Sequence, residues 1–401
     1  MTRWRTALTA GGVAGLLLLT ACGAPPTPGG APAAPDAAVP DKPSSPVTLN
    51  ILDIAGDLQL TQGMIDDFAK KNPDIVSKVT YEKATAPDMA GKIKAQQDAG
   101  HVNIDMVLTG TDGLGAGIEQ GLLNELLPKF ESRLPGMKNY LEPAAKMQGL
   151  AANQGVLITY TPSGPLLEYA PERVPNPPTT PEELLAYAKA HPGKVGYARP
   201  ANSGPGRTFL MGLPYLLGDK DPKDPVNGWD KTWAYLKDLG TAIPSYPSGT
   251  ADTMKNLANG TWDIILSTAG WDINPRALGT VPANAKISPF KNATLVTDAH
   301  YAVIPKGVSA DKQAAVLALL NHMLTPEQQA KAFDKGFFYP GPAIKGVTLD
   351  MAPDESKQVI AQFGRPEYED LIKNSPTAAP LGAKAIVAAF DRWDREIGKK
   401  A

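Results

Sequence analysis

The chain has 401 residues and a nearly balanced charge, with a formal net charge of −2 at pH 7. Hydrophobic residues make up 43% and charged residues 20%, which is typical of a soluble globular protein and unlike a disordered or membrane-embedded chain. No block of basic residues occurs, so nucleic acid is not expected as a partner. The length is sufficient for two domains with separate cores.

The first residues predict a lipoprotein signal peptide, residues 1–21. Arg3 and Arg5 precede an apolar run that is too short to span a bilayer comfortably. The run ends in Leu-Thr-Ala-Cys, which resembles a bacterial lipobox, where cleavage precedes the cysteine and its thiol takes a diacylglycerol. Cys22 is the only cysteine, so we expect it to be lipidated and expect no disulfide. A plain secretory signal with an incidental cysteine is the alternative.

A tether is predicted after the signal, over residues 22–46. Its composition is dominated by Ala, Pro and Gly, with eight prolines between residues 25 and 46. Such a segment has nothing to bury, and its prolines favour an extended polyproline II conformation. It would hold a domain some distance from the outer face of a membrane.

Strands then alternate with amphipathic helices. Apolar, β-rich segments predict strands at 47–54, 76–81 and 104–108, with helices between them. This alternation predicts a mostly parallel sheet, in which ligands bind beyond the carboxyl ends of strands. Asp57, Thr111 and Asp112 follow two of these ends, so we expect them to line one wall of a site. Each also suits an ordinary turn or helix cap.

Residues 194–217 are the stretch most suggestive of a binding site. A short predicted strand leads through a Pro- and Gly-rich loop into a helix that starts near residue 206. A helix start presents unpaired backbone N–H groups and a positive dipole end to an anionic or polar group. We therefore expect Asn202, Ser203 and Arg207 to contact a ligand. An ordinary strand-to-helix connection is the alternative.

The later strands supply further candidates. Trp271 and Asp272 follow a predicted strand at 261–266, and an aromatic ring beside an acid suits stacking and charge pairing. Trp271 equally suits a packing role. Tyr301 lies along a strand predicted at 295–304. A threonine, a proline and an acid predict capped helix starts at both Thr180 and Thr325.

Catalytic and cofactor motifs are missing from the chain. The four histidines are far apart and show no metal-binding spacing. No G-x-S-x-G elbow, phosphate-binding P-loop or complete G-x-G-x-x-G fingerprint occurs. We therefore expect no cofactor, no metal site and no enzymatic activity.

The order of these elements resembles an extracellular solute-binding protein of an ABC importer. The residues that carry the resemblance are the lipobox, the Pro-rich tether, the crossing strand that ends at Tyr160, and the segment from Pro177 to Phe209. The family includes binders of ferric iron, thiamine and polyamines. The segment 177–209 is similar to the YnjB-like branch of that family.

The resemblance implies an α/β fold of the type 2 periplasmic-binding class, with two lobes joined by crossing hinge strands. The first lobe would comprise residues 47–154 and 302–401, and the C-terminal helices would either belong to it alone or pack across both lobes. The second would comprise residues 155–301. Ligand contacts would come from strand ends of both lobes, and Tyr160 would add one at the crossing. The ferric binders use neighbouring tyrosines as iron ligands, and the absence of such a pair disfavours iron.

The sequence therefore predicts a monomeric, lipid-anchored binding protein outside the cytoplasm, which delivers a small polar solute to a permease and its ATPase. Acidic and aromatic candidates suit an organic cation such as a polyamine or thiamine. Arg207 suits an anion, and hydroxyls with Trp271 suit a sugar, so these alternatives stay open. An envelope hydrolase and a scaffold lipoprotein without a small ligand are the alternatives from other classes.

Overall fold

The computed structural model describes residues 38–54 and 56–399. The predicted signal peptide, Cys22 and the tether up to residue 37 lie outside the described residues. The end of the predicted tether contacts the folded chain, because Arg133 donates to the carbonyls of Pro40 and Asp41 at 3.0 and 2.9 Å. Within the described part, no helix has both the length and the hydropathy needed to cross a bilayer.

The strands form two sheets, and all elements are numbered in chain order. The larger sheet contains β1 Val47–Ile54, β2 Val76–Ala84, β3 Met106–Thr109, β4 Gly155–Gly164, β9 Leu295–Val303, β10 Gly341–Pro342 and β11 Thr377–Ala378. The smaller sheet contains β5 Leu166–Tyr169, β6 Val195–Gly196, β7 Ile264–Ser267 and β8 Lys286–Pro289.

The helices connect and cover these sheets. They are α1 Leu58–Lys71, α2 Ala86–Asp98, α3 Thr111–Glu119, α4 Glu142–Gln148, α5 Pro181–Ala190, α6 Gly204–Leu217, α7 Asp230–Gly240, α8 Thr250–Ala258, α9 Ile273–Ala277, α10 Ala310–Met323, α11 Pro326–Gln329, α12 Asp354–Phe363, α13 Glu367–Asn374 and α14 Ala383–Glu396.

Local sequence patterns explain several of these elements. The predicted helix after β1 buries Thr61, Met64, Ile65 and Phe68 on one face, and the structure forms it as α1. The predicted cap of α5 is also confirmed, since Thr180 Oγ1 accepts a hydrogen bond from the Glu183 amide at 3.2 Å.

The matching helix start at Thr325 is confirmed in position, since Thr325 is the N-cap residue of α11. The predicted side-chain cap is wrong, because its hydroxyl donates to the His322 carbonyl at 2.9 Å. Helix α10 ends at Met323, only two residues earlier, and its last carbonyls lack intrahelical donors. The threonine therefore serves the end of one helix with its hydroxyl and the start of the next with its backbone.

The three strands from which a mostly parallel sheet was predicted do run parallel, but the sheets as a whole are mixed. The larger sheet has the order β10-β4-β9-β3-β1-β2, with β11 beside β9. Strands β1, β2 and β3 run parallel, but β9 runs antiparallel to both β3 and β4. The chain leaves this sheet along β4 and returns along β9 as its neighbour. Two adjacent strands that leave and return must run in opposite directions, which breaks the parallel pattern.

The molecule is a two-lobed α/β structure, as the sequence predicted. We call the larger sheet with α1–α4 and α10 the first lobe, and the smaller sheet with α5–α9 the second lobe. Each sheet has its own buried apolar cluster. The chain crosses between the lobes from β4 to β5 and again from β8 to β9.

The C-terminal helices contact both lobes. Ile386 of α14 packs so closely on α3 that a Cβ added at Gly115 would lie 2.9 Å from it. Trp393 of the same helix donates from its indole to Tyr197 of the second lobe at 3.3 Å. Helix α14 therefore packs across the junction, and its apolar face is buried by both lobes.

Candidate functional site

A cavity of about 430 Å³ lies between the two lobes. Its walls include Gly56 and Thr85 from the first lobe and Asn202, Thr250 and Trp271 from the second. Strand β9 and the loop before β10 complete it. The cavity therefore forms where strand ends and helix starts of both lobes converge.

Arg207 connects the lobes at one wall of this cavity. It lies in the first turn of α6, where Ser203 Oγ caps the helix by accepting a hydrogen bond from the Gly206 amide at 3.2 Å. Its Nη1 donates to Asp112 Oδ2 of α3, and its Nη2 donates to Asp298 Oδ2 of β9, both at 2.7 Å. All three side chains are almost fully buried. These are charge-assisted hydrogen bonds, the stronger class.

The two carboxylates are also held by groups of the larger sheet and α3. Asp112 Oδ1 accepts from the Gly113 amide at 2.9 Å. Asp298 Oδ1 accepts from the Ala299 amide at 3.0 Å and from the Thr111 hydroxyl at 3.4 Å. The acidic pair Asp112 and Asp298 is thus oriented by contacts that do not involve Arg207.

A second ionisable pair, Asp57 and His300, stands beside this cluster. Asp57 Oδ1 lies 3.0 Å from His300 Nε2, and the imidazole stacks on Phe338 at a centroid distance of 4.2 Å. Burial raises the pKa of Asp57 to about 7, although His300 opposes the shift. Burial alone would lower the pKa of His300, but the carboxylates of Asp57 and Asp298 together outweigh it, so that pKa is raised. The environment therefore favours the protonated form of both groups.

The rest of the wall combines aromatic rings with hydroxyl groups. Trp271, Phe337 and Phe338 line the cavity, as do Ser163 and Thr268. Among all the lining residues, Arg207 is the only arginine or lysine. The wall therefore offers π faces and acceptors, while its one permanent cation is already paired.

Some of the predicted site residues lie together at this cavity. Asn202, Arg207 and Trp271 line it. Asp112 and Thr111 contact the Arg207–Asp298 cluster, and Asp57 contacts His300. Sequence positions far apart are thus brought to one place by the convergence of strand ends.

Asp57, Thr111 and Asp112 are not part of the cavity lining themselves, and four other predicted residues also lie outside it. Ser203 is buried and caps α6. Tyr160 packs in the core of the first lobe. Tyr301 donates from its hydroxyl to the Met147 carbonyl at 2.8 Å inside the same core. Alternation along β9 explains this, because Tyr301 faces away from the side that presents Asp298 and His300.

Asp272, the fourth, belongs to a buried ionic cluster of its own. Its Oδ2 lies 2.7 Å from Arg276 Nε and 2.6 Å from Arg365 Nη2, and its Oδ1 accepts from the Tyr368 hydroxyl. The Asp272 side chain has no exposed surface. Its neighbour Trp271 lines the cavity, whereas Asp272 ties α9 to the segment around α13.

Among the cavity residues that were missing from the predicted site, three make the ionic and stacking contacts described above: Asp298, His300 and Phe338. A signal for two of them existed, since residues two apart on a strand share a face and β9 carries Asp298 and His300 at that spacing. Phe338 lies in an aromatic loop that no local pattern connects with β9. Only the fold stacks its ring on His300.

Close packing of the backbone explains why residue 206 is a glycine. A Cβ at this position would lie 2.4 Å from the Ala198 carbonyl oxygen, whereas one at Gly204 would lie 3.6 Å from Asp298 Oδ2. Gly206 therefore lets α6 begin against the chain that follows β6. Gly204, not Gly206, lines the cavity.

No metal site is evident in the part of the chain that the structure describes, because no three His, Cys, Asp or Glu side chains converge as metal ligands would. The charged groups at the cavity pair with one another instead.

Comparison with known structures finds proteins of the same fold. An ABC transporter structure from Clostridium perfringens ATCC 13124 aligns with a TM-score of 0.63 at 16% identity, over 88% of this chain and 99% of that one. A putative spermidine/putrescine ABC transporter from Listeria monocytogenes aligns with a TM-score of 0.60 at 18% identity, over 88% and 99%. The apo ferric ion-binding protein A of Pasteurella haemolytica gives 0.59 at 16% identity, over 87% and 97%. These likenesses show the two-lobed binding-protein fold.

Sequence comparison gives the same result. The chain is 27% identical to protein YnjB of Escherichia coli (strain K12) over 281 residues, which is 63% of this chain and 67% of that protein. The family model described as bacterial extracellular solute-binding protein matches residues 63–361. The chain therefore belongs to the bacterial extracellular solute-binding protein family.

Proposed function

We propose that this chain captures an organic cation between its two lobes and is held at the membrane by a lipid on Cys22. The broader role follows from family membership: it is the substrate-binding component of an ABC importer, works outside the cytoplasm with a permease and an ATPase, and is not an enzyme. The charge of the ligand and the lipid anchor are the parts that we add.

The pairing of Arg207 is the observation that supports a cationic ligand. It is the only lysine or arginine in the cavity lining, and both its terminal nitrogens already donate to carboxylates. An anion would therefore have to break charge-assisted bonds to gain a partner. A cation finds the Asp298 carboxylate and the faces of Trp271 and Phe338, which attract positive charge.

The cavity and the comparisons are consistent with a small organic cation. About 430 Å³ lies within the range of small-molecule sites. One structural relative is described as a putative spermidine/putrescine ABC transporter. Because its identity to this chain is low, the likeness is evidence for the fold alone. The lack of an adjacent tyrosine pair disfavours iron.

Hinge closure is the mechanism that we propose. The lobes are linked by the crossings from β4 to β5 and from β8 to β9, and the cavity takes residues from both lobes. A ligand that touches both walls favours the closed arrangement to the extent that it binds that arrangement more tightly. The permease would then recognise the closed form.

A thermal-shift screen tests the ligand class. The chain without residues 1–21, carrying Cys22→Ser to keep it in solution, would be heated with putrescine, spermidine, thiamine, neutral sugars, sugar phosphates and dicarboxylates. A solute at 100 times its dissociation constant adds about 2.7 kcal/mol of stability. We expect stabilisation by cations. Stabilisation confined to sugars or anions would contradict the proposed ligand class.

The lipid anchor is tested in cells with the full chain. We expect the wild type in the membrane fraction and the Cys22→Ser variant uncleaved or released, because the lipid is attached to the cysteine thiol. Normal processing and membrane retention of that variant would contradict lipidation. This experiment is independent of the ligand screen.

A further inference from the structure

The contact of Arg207 with the acidic pair joins two lobes rather than two parts of one. The arginine belongs to α6 of the second lobe, whereas Asp112 belongs to α3 and Asp298 to the larger sheet. A hinge motion that separated α6 from α3 would pull the guanidinium away from Asp112. The ion pairs are therefore part of what holds the two walls of the cavity together.

The carboxylates and the guanidinium of this contact differ in what orients them. Backbone amides of Gly113 and Ala299 orient the carboxylates, so both would keep their positions if the arginine left. The Arg207 guanidinium depends on the carboxylates themselves, because its Nε has no hydrogen-bond partner among the described residues. The acidic pair is thus a preorganised cation site, and a flexible side chain from the opposite lobe supplies the cation.

The charges favour a second cation over an anion at this position. Two carboxylates face one guanidinium, so the cluster of Asp112, Asp298 and Arg207 has a formal charge of −1. Asp298 and Arg207 both line the cavity, whereas Asp112 does not, so a solute there lies against the Arg207–Asp298 ion pair. A solute ammonium or amidinium group can make the same charge-assisted bonds that the arginine makes.

We propose that Arg207 and the cationic group of the solute compete for the acidic pair Asp112 and Asp298, so that Arg207 acts as a resident counter-ion. This inference rests on the proposed function and specifies its binding step. In the absence of solute, Arg207 occupies the acidic pair, and a bound cation takes its place as the group that pairs with these carboxylates. A neutral solute does not displace it, whereas an ammonium, amidinium or guanidinium group does.

Methylguanidinium is a probe that does not require the natural solute to be known. The chain without residues 1–21 would carry Cys22→Ser together with Arg207→Ala, and its unfolding midpoint would be followed as methylguanidinium chloride is added at constant ionic strength. Methylurea has nearly the same shape without the charge and is the matched control. We expect methylguanidinium, and not methylurea, to raise the midpoint of Arg207→Ala more than that of the chain with Arg207.

Adding Asp298→Asn to Arg207→Ala should abolish this rescue, because the acidic pair is then incomplete. Equal rescue by methylurea, or rescue that survives Asp298→Asn, would overturn the proposal. If Arg207→Ala does not fold, Arg207→Gln keeps most of the side-chain volume without the charge and takes its place in the same titration.

A second measurement separates this inference from the proposed function. Isothermal titration would compare the best cationic solute from the screen on the chains with Arg207, Arg207→Gln and Arg207→Lys. We expect binding roughly tenfold tighter in Arg207→Gln, since one competing charged bond is lost, and little change in Arg207→Lys. Loss of cation binding in Arg207→Gln would overturn the competition while leaving a cationic ligand established. Tight binding of an anion that Arg207→Gln abolishes would overturn both.

Discussion

The molecule contains two buried ionic clusters, and the difference between them lies in what they join. Arg207, Asp112 and Asp298 connect two lobes at the wall of a cavity. The other cluster, Asp272 with its arginine and tyrosine partners, connects α9 to the segment around α13. Both consist of opposite charges almost fully removed from water. Burial and pairing alone therefore do not identify a binding site.

Each cluster has a neighbouring carboxyl with a raised pKa. Asp57 lies beside His300 at the cavity, and Glu168 of β5 lies near Asp272 with no hydrogen-bond partner for either oxygen among the described residues. Burial, with a smaller contribution from the Asp272 carboxylate, raises the pKa of Glu168 to about 8. Of these two carboxyls, only Asp57 contacts a residue of the cavity wall, His300.

The largest expected loss of folding stability follows substitution in the second cluster, that of Asp272. Asp272→Ala would leave Arg276 and Arg365 without their shared carboxylate, and an uncompensated buried charge costs about 3–5 kcal/mol. Urea unfolding measures this loss. Asp252→Ala is the matched control, because its ion pair with Lys255 is exposed and should contribute less than about 0.5 kcal/mol. A loss below about 1 kcal/mol for Asp272→Ala would show that this cluster is not structural.

A smaller loss of folding stability is expected from a substitution at the start of α6, close to Arg207. Gly206→Ala would force a Cβ against the Ala198 carbonyl, and overpacking of this kind costs about 1–3 kcal/mol. Gly204→Ala meets only an ordinary contact and should cost less than about 1 kcal/mol. Urea unfolding of both variants gives the comparison. The reverse order would mean that the close approach at Gly206 is not required.

The pH dependence distinguishes the two clusters further. A carboxyl with a raised pKa keeps its proton in the folded chain after the unfolded chain has lost it, so stability falls as pH rises through the folded pKa. Asp57→Asn removes this loss, since burial raises the pKa of Asp57 to about 7. We expect its free energy of unfolding, relative to wild type, to rise by about 1–2 kcal/mol between pH 5 and about pH 7.5.

Glu168→Gln should show the same sign, with the change continuing towards about pH 8, where the pKa of Glu168 lies. A saturating solute should alter the pH dependence of the unfolding free energy for Asp57→Asn and leave that for Glu168→Gln unchanged. The reason is that only Asp57 contacts a residue of the cavity wall. Urea unfolding across pH measures both. An equal response of the two profiles to solute would remove the distinction between the clusters.

The smallest effect is expected at Thr111. Its hydroxyl lies 3.4 Å from Asp298 Oδ1, a long hydrogen bond, and valine has nearly the same shape. Thr111→Val should therefore cost about 0.5 kcal/mol, the low end for a hydrogen bond. A loss above about 1.5 kcal/mol in thermal or urea unfolding would mean that this hydroxyl, and not only the backbone, orients the acidic pair.

Local signals were a good guide to the elements and a weaker one to the site. The cap at Thr180, the apolar face of α1 and the bounds of β1 depend on residues within a few positions of one another. The direction in which the strands of a sheet run does not depend on such neighbouring residues. Strand β9 lies beside β4 after more than a hundred residues of intervening chain, and that pairing made the sheet mixed.

The sequence by itself determined most strand and helix positions, because short-range periodicity and capping govern these. The two-lobed α/β plan was implied by the family resemblance. The sequence also placed Asn202, Arg207 and Trp271 at strand ends and a helix start, where the cavity lies. Only the tertiary structure decided what Arg207 and Asp272 contact. The partners of Arg207 are 95 and 91 residues away along the chain. Electrostatic pairing depends on distance in space, which local patterns do not encode.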